Sequence, residues 1–118
     1  MDKKYKSNSD LEKNENLKKI AIDLARNILE GEVGVIAGCI QMNRIGHELF
    51  DRPEEDEDFV IFIAIDSETD HLPTEKTSKF WDNTILKEKQ IEINNIENYY
   101  RDYVFTACRS IIKRYCGV

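Results

Sequence analysis

Asp66, Glu68, Asp70 and His71 are the residues of this chain whose types and spacing best suit a metal. In an extended loop, alternate positions share a side, so carboxylates at 66, 68 and 70 would converge as oxygen ligands for a hard cation. Such a cluster would also serve a small metal-dependent hydrolase. Two departures weigh against a calcium loop. His71 stands where the sixth-position glycine belongs, and Thr77 stands where a bidentate Glu is required. A local role competes with ligation. Asp, Ser and Thr bond to nearby backbone groups and cap helices, and Ser67-x-x-Asp70 has that spacing. The expectation is no metal and no cofactor.

A second set of carboxylates, Glu54, Glu55, Asp56, Glu57 and Asp58, runs without a break into the apolar segment 59–65. Burial of that segment would hold the acids in place at the rim of a core. Fixed negative charge attracts a cation or a basic protein surface. The charge is concentrated here. Residues 31–75 carry two Lys/Arg against twelve Asp/Glu, within a chain whose net charge is −6. That balance argues against a nucleic-acid binder, which needs a basic stripe facing phosphates. A solvated acidic loop is the plain alternative.

Other catalytic patterns are weak. His47-Glu48 lacks the second histidine of a zinc-hydrolase helix, and no G-x-S-x-G elbow or phosphate-binding glycine loop is present. The residues therefore point away from an enzyme. Trp81, beside Phe80, could anchor a partner or fill a core. Tyr99, Tyr100, Tyr103 and Tyr115 suit a core edge or an interface.

These groups need elements to position them. Composition and length fit one domain, with residues 1–8 as a disordered head and 9–118 as a single helical domain. Ser9 or Asp10 could cap a first helix striped by Leu17, Ile20, Ala21, Leu24 and Ile28 and stopped at Gly31. A second helix is expected from about 32 to 50, ended by Pro53. Its Gly34 and Gly38, four apart, would let a neighbouring helix approach closely. Residues 59–65 suit a short buried helix over about 57–68, with Ile63 in the core. A buried strand over 58–66 remains open, although no strand of similar quality is available to pair with it. A short helix is expected over 78–86. A long one follows, striped by Ile93, Ile96, Tyr100, Tyr103, Ala107 and Ile111, with Lys113 and Arg114 at its favourable end. The fold class is therefore all-α, a single bundle of four to five helices, as monomer or weak homodimer. Cys39, Cys108 and Cys116 show no CxxC spacing. Cys39 and Cys108 read as small buried hydrophobes and Cys116 as exposed. Reduced thiols, no secretory pattern and no span of ~20 apolar residues place the chain in the cytoplasm, without membrane contact.

The stretch Ile65-Asp66-Ser67-Glu68-Thr69-Asp70-His71-Leu72-Pro73 resembles the I-D-S-E-T-D-x-L-P motif of a family of small uncharacterised bacterial proteins. The resemblance extends to Gly34-Val35-Ile36-Ala37-Gly38, Trp81 and Ala107-Cys108. It departs at Thr74-Glu75-Lys76-Thr77, where Gly and Arg are usual. Similar small acidic proteins serve as immunity partners of toxins, including those of contact-dependent growth inhibition. The resemblance thus implies a cytoplasmic immunity protein that neutralises a basic toxin, a nuclease by its charge. Its contact residues would be Glu54, Glu55, Asp56, Glu57, Asp58, Asp66, Glu68, Asp70, His71 and Trp81. A metal-dependent hydrolase or a regulatory scaffolding bundle is the alternative.

Overall fold

The computed structural model describes residues 11–70 and 82–116. Four α-helices and one short 3-10 turn form an all-α bundle: α1 (Leu11–Glu30), α2 (Val35–Leu49), the turn Pro53–Glu55, α3 (Val60–Thr69) and α4 (Asn83–Tyr115).

Local chemistry explains where each helix stops and starts. Gly31 closes α1 with a positive φ of 80°. The Glu32 amide donates to the Asn27 carbonyl at 2.9 Å and the Gly31 amide to Ile28 at 3.3 Å. Only a residue tolerant of left-handed backbone permits this paired closure. Asp82 starts α4 by accepting a 3.0 Å bond from the Ile85 amide. The turn after α1 folds α2 back, so that Ile28 meets Gly38. α3 is antiparallel to α2, with Phe59 against Gly46 and Asp66 against Asn43. α2 and α4 run parallel. Ile36 meets Glu97 at one end, and Phe50 meets Arg114 at the other.

The core lies where all four helices overlap. Ala21, Leu24, Ala25 and Ile28 come from α1, and Cys39, Met42 and Leu49 from α2. Phe62 and Ile65 from α3 and Val104, Cys108 and Ile111 from α4 complete it. Phe59 presents ring edges to Phe50 and Phe62 at 5.2 and 5.8 Å, a favoured aromatic arrangement. Among the described residues, no helix is long and apolar enough to cross a membrane.

Several expectations change on folding. Residues 60–69 are helix, so the open strand reading is replaced: an isolated strand would leave buried backbone groups unpaired, whereas a helix satisfies its own. Helical spacing then turns Phe62, Ile65 and Thr69 fully inward and leaves Ile63 only half-buried. The close-approach glycines are Gly38 and Gly46, not Gly34. A Cβ on Gly46 would lie 2.8 Å from the Phe59 ring, whereas one on Gly34 would meet nothing within 4 Å. The described part of the 78–86 segment belongs to α4, which starts ten residues before its apolar stripe at Ile93. Ile20 and Tyr103, both assigned to buried stripes, are 52% and 60% exposed. The head 1–8 lies outside the described residues.

Candidate functional site

The acidic run divides into two sets with opposite roles. Asp56 and Asp58 are buried, while Glu54, Glu55 and Glu57 are exposed. The Pro53–Glu55 turn reverses the chain after α2 and buries Pro53. Asp56 then turns inward, where its Oδ1 accepts bonds from the amides of Asp58 at 3.0 Å and Phe59 at 3.2 Å. Its carbonyl accepts the Val60 amide at 3.0 Å. One aspartate thereby satisfies the free amides leading into α3.

Charge balance for this inward pair comes from the far end of the chain. Arg114, in the last turn of α4, places Nη1 2.9 Å from Asp56 Oδ2 and 3.2 Å from Asp58 Oδ2. Its guanidinium also lies 5.8 Å above the Phe50 ring and 5.0 Å from that of Tyr115. Asp56 and Asp58 are therefore not surface docking groups, contrary to the sequence expectation. Their burial is made tolerable by a cation and backbone donors that only folding supplies.

The turn's outer side carries the remaining charge. Glu54 and Glu57 point to solvent, and Glu55 accepts from Arg52 at 3.3 Å in an exposed pair. Such a pair contributes little to stability.

The 66–71 cluster does not converge. Asp66 and Glu68 lie within α3, where residues two apart point to nearly opposite sides. Half-buried Asp66 accepts a 2.7 Å bond from Asn43 Nδ2. Exposed Glu68 accepts from the Tyr100 hydroxyl of α4, and Asp70 stands exposed at the end of α3. The extended-loop geometry behind the hydrolase alternative is thus absent from this segment. Among the described residues no three His, Cys, Asp or Glu side chains gather as metal ligands. Ser67 lies inside the helix, so the Ser67-x-x-Asp70 match is not a start cap. Thr69 instead donates back to the Ile65 carbonyl at 2.7 Å. His71 and Trp81 lie outside the described residues.

His47 is exposed, and its Nδ1 lies 2.9 Å from the Asn43 carbonyl. A carbonyl can only accept, so Nδ1 carries the hydrogen. The thiols of Cys39 and Cys108 are buried. Desolvation raises both, Cys108 to about 12, with Cys108 adding to the effect on Cys39. They are poor nucleophiles at neutral pH. Between α1 and α2 an open groove of about 390 Å³ is lined by Ile20, Leu24, Val33 and Ile45, with Asp23 and Arg44 at its edge.

Two features of the fold are not legible in the sequence. Arg114 read as a helix-end cation, with nothing local to tie it to acids more than fifty positions earlier. Residue type leaves Tyr99 and Tyr103 open to a core edge or an interface, and the α4 stripe assigns Tyr103 inward, yet they stand 68% and 60% exposed. Tyr99 packs on Tyr100 at 4.8 Å between ring centroids and lies 6.4 Å from Tyr103. The hydrogen bond to Glu68 raises the Tyr100 phenol to about 12.

No family model, curated protein or solved structure matches the chain.

Proposed function

We propose that the chain is an immunity protein that binds and neutralises a basic toxin domain, a nuclease by its charge, in the cytoplasm. The supporting observation is the ledge formed by Glu54, Glu55 and Glu57. Three carboxylates project from a turn whose inner side is tied to α4 through Asp56, Asp58 and Arg114. Charge on a flexible tail must be ordered upon binding. Charge on a braced turn is already in place, which favours fast and selective capture. Glu68 and Asp70, exposed at the opposite end of α3, carry further negative charge. The likeness of residues 65–73 to the I-D-S-E-T-D-x-L-P motif supports the same reading. A nuclease must be basic where it grips phosphate, and a fixed acidic ledge complements that surface.

The test measures association with the polypeptide encoded by the adjacent reading frame at low and high salt. Changing Glu54, Glu55 and Glu57 to Lys should slow association about tenfold or more. The same change should move stability by less than about 0.5 kcal/mol. Raising salt to 1 M, where screening shortens to about 3 Å, should slow the wild type similarly. An association rate indifferent to both changes would reduce the ledge to a solvated turn and sink the proposal.

A further inference from the structure

The tyrosine face of α4 carries an inference that deepens the proposed function and rests on its reading of a basic protein partner. Large aromatic side chains are normally covered when they cluster. Tyr99 and Tyr103 lie one helical turn apart and stand 68% and 60% exposed. Tyr100 joins them through its contact with Tyr99, and its hydroxyl is committed to Glu68. That bond ties α4 to the end of α3.

Carboxylates from two helices surround these rings among the described residues. Glu68 and Asp70 are exposed at the end of α3, where the negative pole of the helix dipole adds to their charge. Exposed Asp102 adjoins Tyr103. Arg101 is the nearby cation in sequence. It lies two residues from both Tyr99 and Tyr103, about 200° around the helix from each, and it donates to Asn98 at 3.0 Å. The tyrosines are therefore flanked by carboxylates and turned away from that arginine.

We propose that Tyr99, Tyr100 and Tyr103, with Glu68, Asp70 and Asp102, form a docking face for arginine side chains of a basic protein partner. A guanidinium is planar and weakly hydrated. It can stack on an aromatic ring while its edge bonds a carboxylate, which a lysine ammonium does less well. Tyrosine is also well suited to a binding hot spot, because it offers a large contact at small entropic cost. A second copy of this chain is the poorer occupant. Facing copies would bring their Glu68, Asp70 and Asp102 carboxylates together, and like charges across an interface are costly.

The test uses two short fluorescein-labelled peptides, one of alternating Arg and Gly and one of alternating Lys and Gly. Binding is followed by anisotropy, and the self-association of the unmixed chain by sedimentation. The arginine peptide should bind about fivefold more tightly than the lysine peptide. Tyr99→Ala with Tyr103→Ala should abolish that preference while leaving the melting curve unchanged. Reversing Glu54, Glu55 and Glu57 to Lys should weaken both peptides alike and preserve the preference. Equal affinity of wild type for the two peptides would overturn the tyrosine face, and a loss of both on ledge reversal would leave the immunity reading standing. A preference that survives ledge reversal, with affinity unchanged, would support the tyrosine face and remove the ledge. Self-association abolished by the tyrosine substitutions would also overturn the proposal, by making this face an interface between copies.

Discussion

The two ends of α4 treat polar and apolar groups in opposite ways. At its C-terminal end, buried Asp56 and Asp58 are held by Arg114, and Phe50, Phe59 and Phe62 close the core around them. Toward the middle and N-terminal end, Ile85, Ile91, Tyr99 and Tyr103 remain exposed on the same continuous helix. The buried residues of α4 begin only at Val104. A helix of 33 residues extends about 50 Å, close to the 52 Å long axis of the molecule. The shorter helices cannot cover it throughout. The closed end therefore buries charge at the cost of requiring partners for it, while the open end leaves its rings exposed.

The largest expected effect lies at the closed end. Arg114→Met keeps much of the packing against Phe50 and Tyr115 but removes the guanidinium from two buried carboxylates. The expected loss is about 3 kcal/mol in denaturant unfolding, at the lower end of the range because Arg114 retains 25% side-chain exposure. Adding Asp56→Asn and Asp58→Asn should restore part of it, since an amide oxygen at position 56 still accepts from the α3 amides. An Arg114→Met protein within 1 kcal/mol of wild type, on the order of an ordinary surface change, would contradict the role given to this cluster.

A smaller effect separates two glycines on one helix. Gly46→Ala drives a methyl to 2.8 Å from a Phe59 ring that is itself wedged between two other rings. Overpacking costs about 1–3 kcal/mol, offset by roughly 1 kcal/mol of helix propensity, so a net loss near 1 kcal/mol is expected. Gly34→Ala enters open space at the start of α2 and should cost no more than about 0.5 kcal/mol. Equal losses at the two positions would show that the α2–α3 contact yields more readily than its packing implies.

The smallest effect belongs to the open end. Tyr100 should ionise at about 12, above the ordinary phenol near 10, because its hydroxyl donates to Glu68. The native state then holds the proton more tightly than the unfolded chain. This contribution to stability is fully present below about pH 10 and is lost as pH rises through about 12. A phenolate absorbance titration should show Tyr100 shifted upward, and Glu68→Gln should lower it. Unchanged titration in the Glu68→Gln protein would break the proposed link between α3 and the tyrosine face.

The sequence carried the helical periods of α1, α2 and α4, the stop at Gly31 and the burial of Cys39 and Cys108. Each follows from spacing or from a local backbone requirement. It also singled out the acidic segment, but it treated five adjacent carboxylates as one surface. Inward or outward direction within that segment depends on where the Pro53–Glu55 turn sets the backbone and on whether Arg114 arrives opposite it. Neither is encoded by local periodicity. The same limit explains Ile63, whose hydrophobicity was plain but whose facing was set by the start of α3 at Val60. Sequence alone determined that this chain makes amphipathic helices with a concentrated acidic middle. Tertiary structure decided which acids are buried braces and which face solvent, because burial of a charge is settled by distant groups that only the completed fold brings within reach.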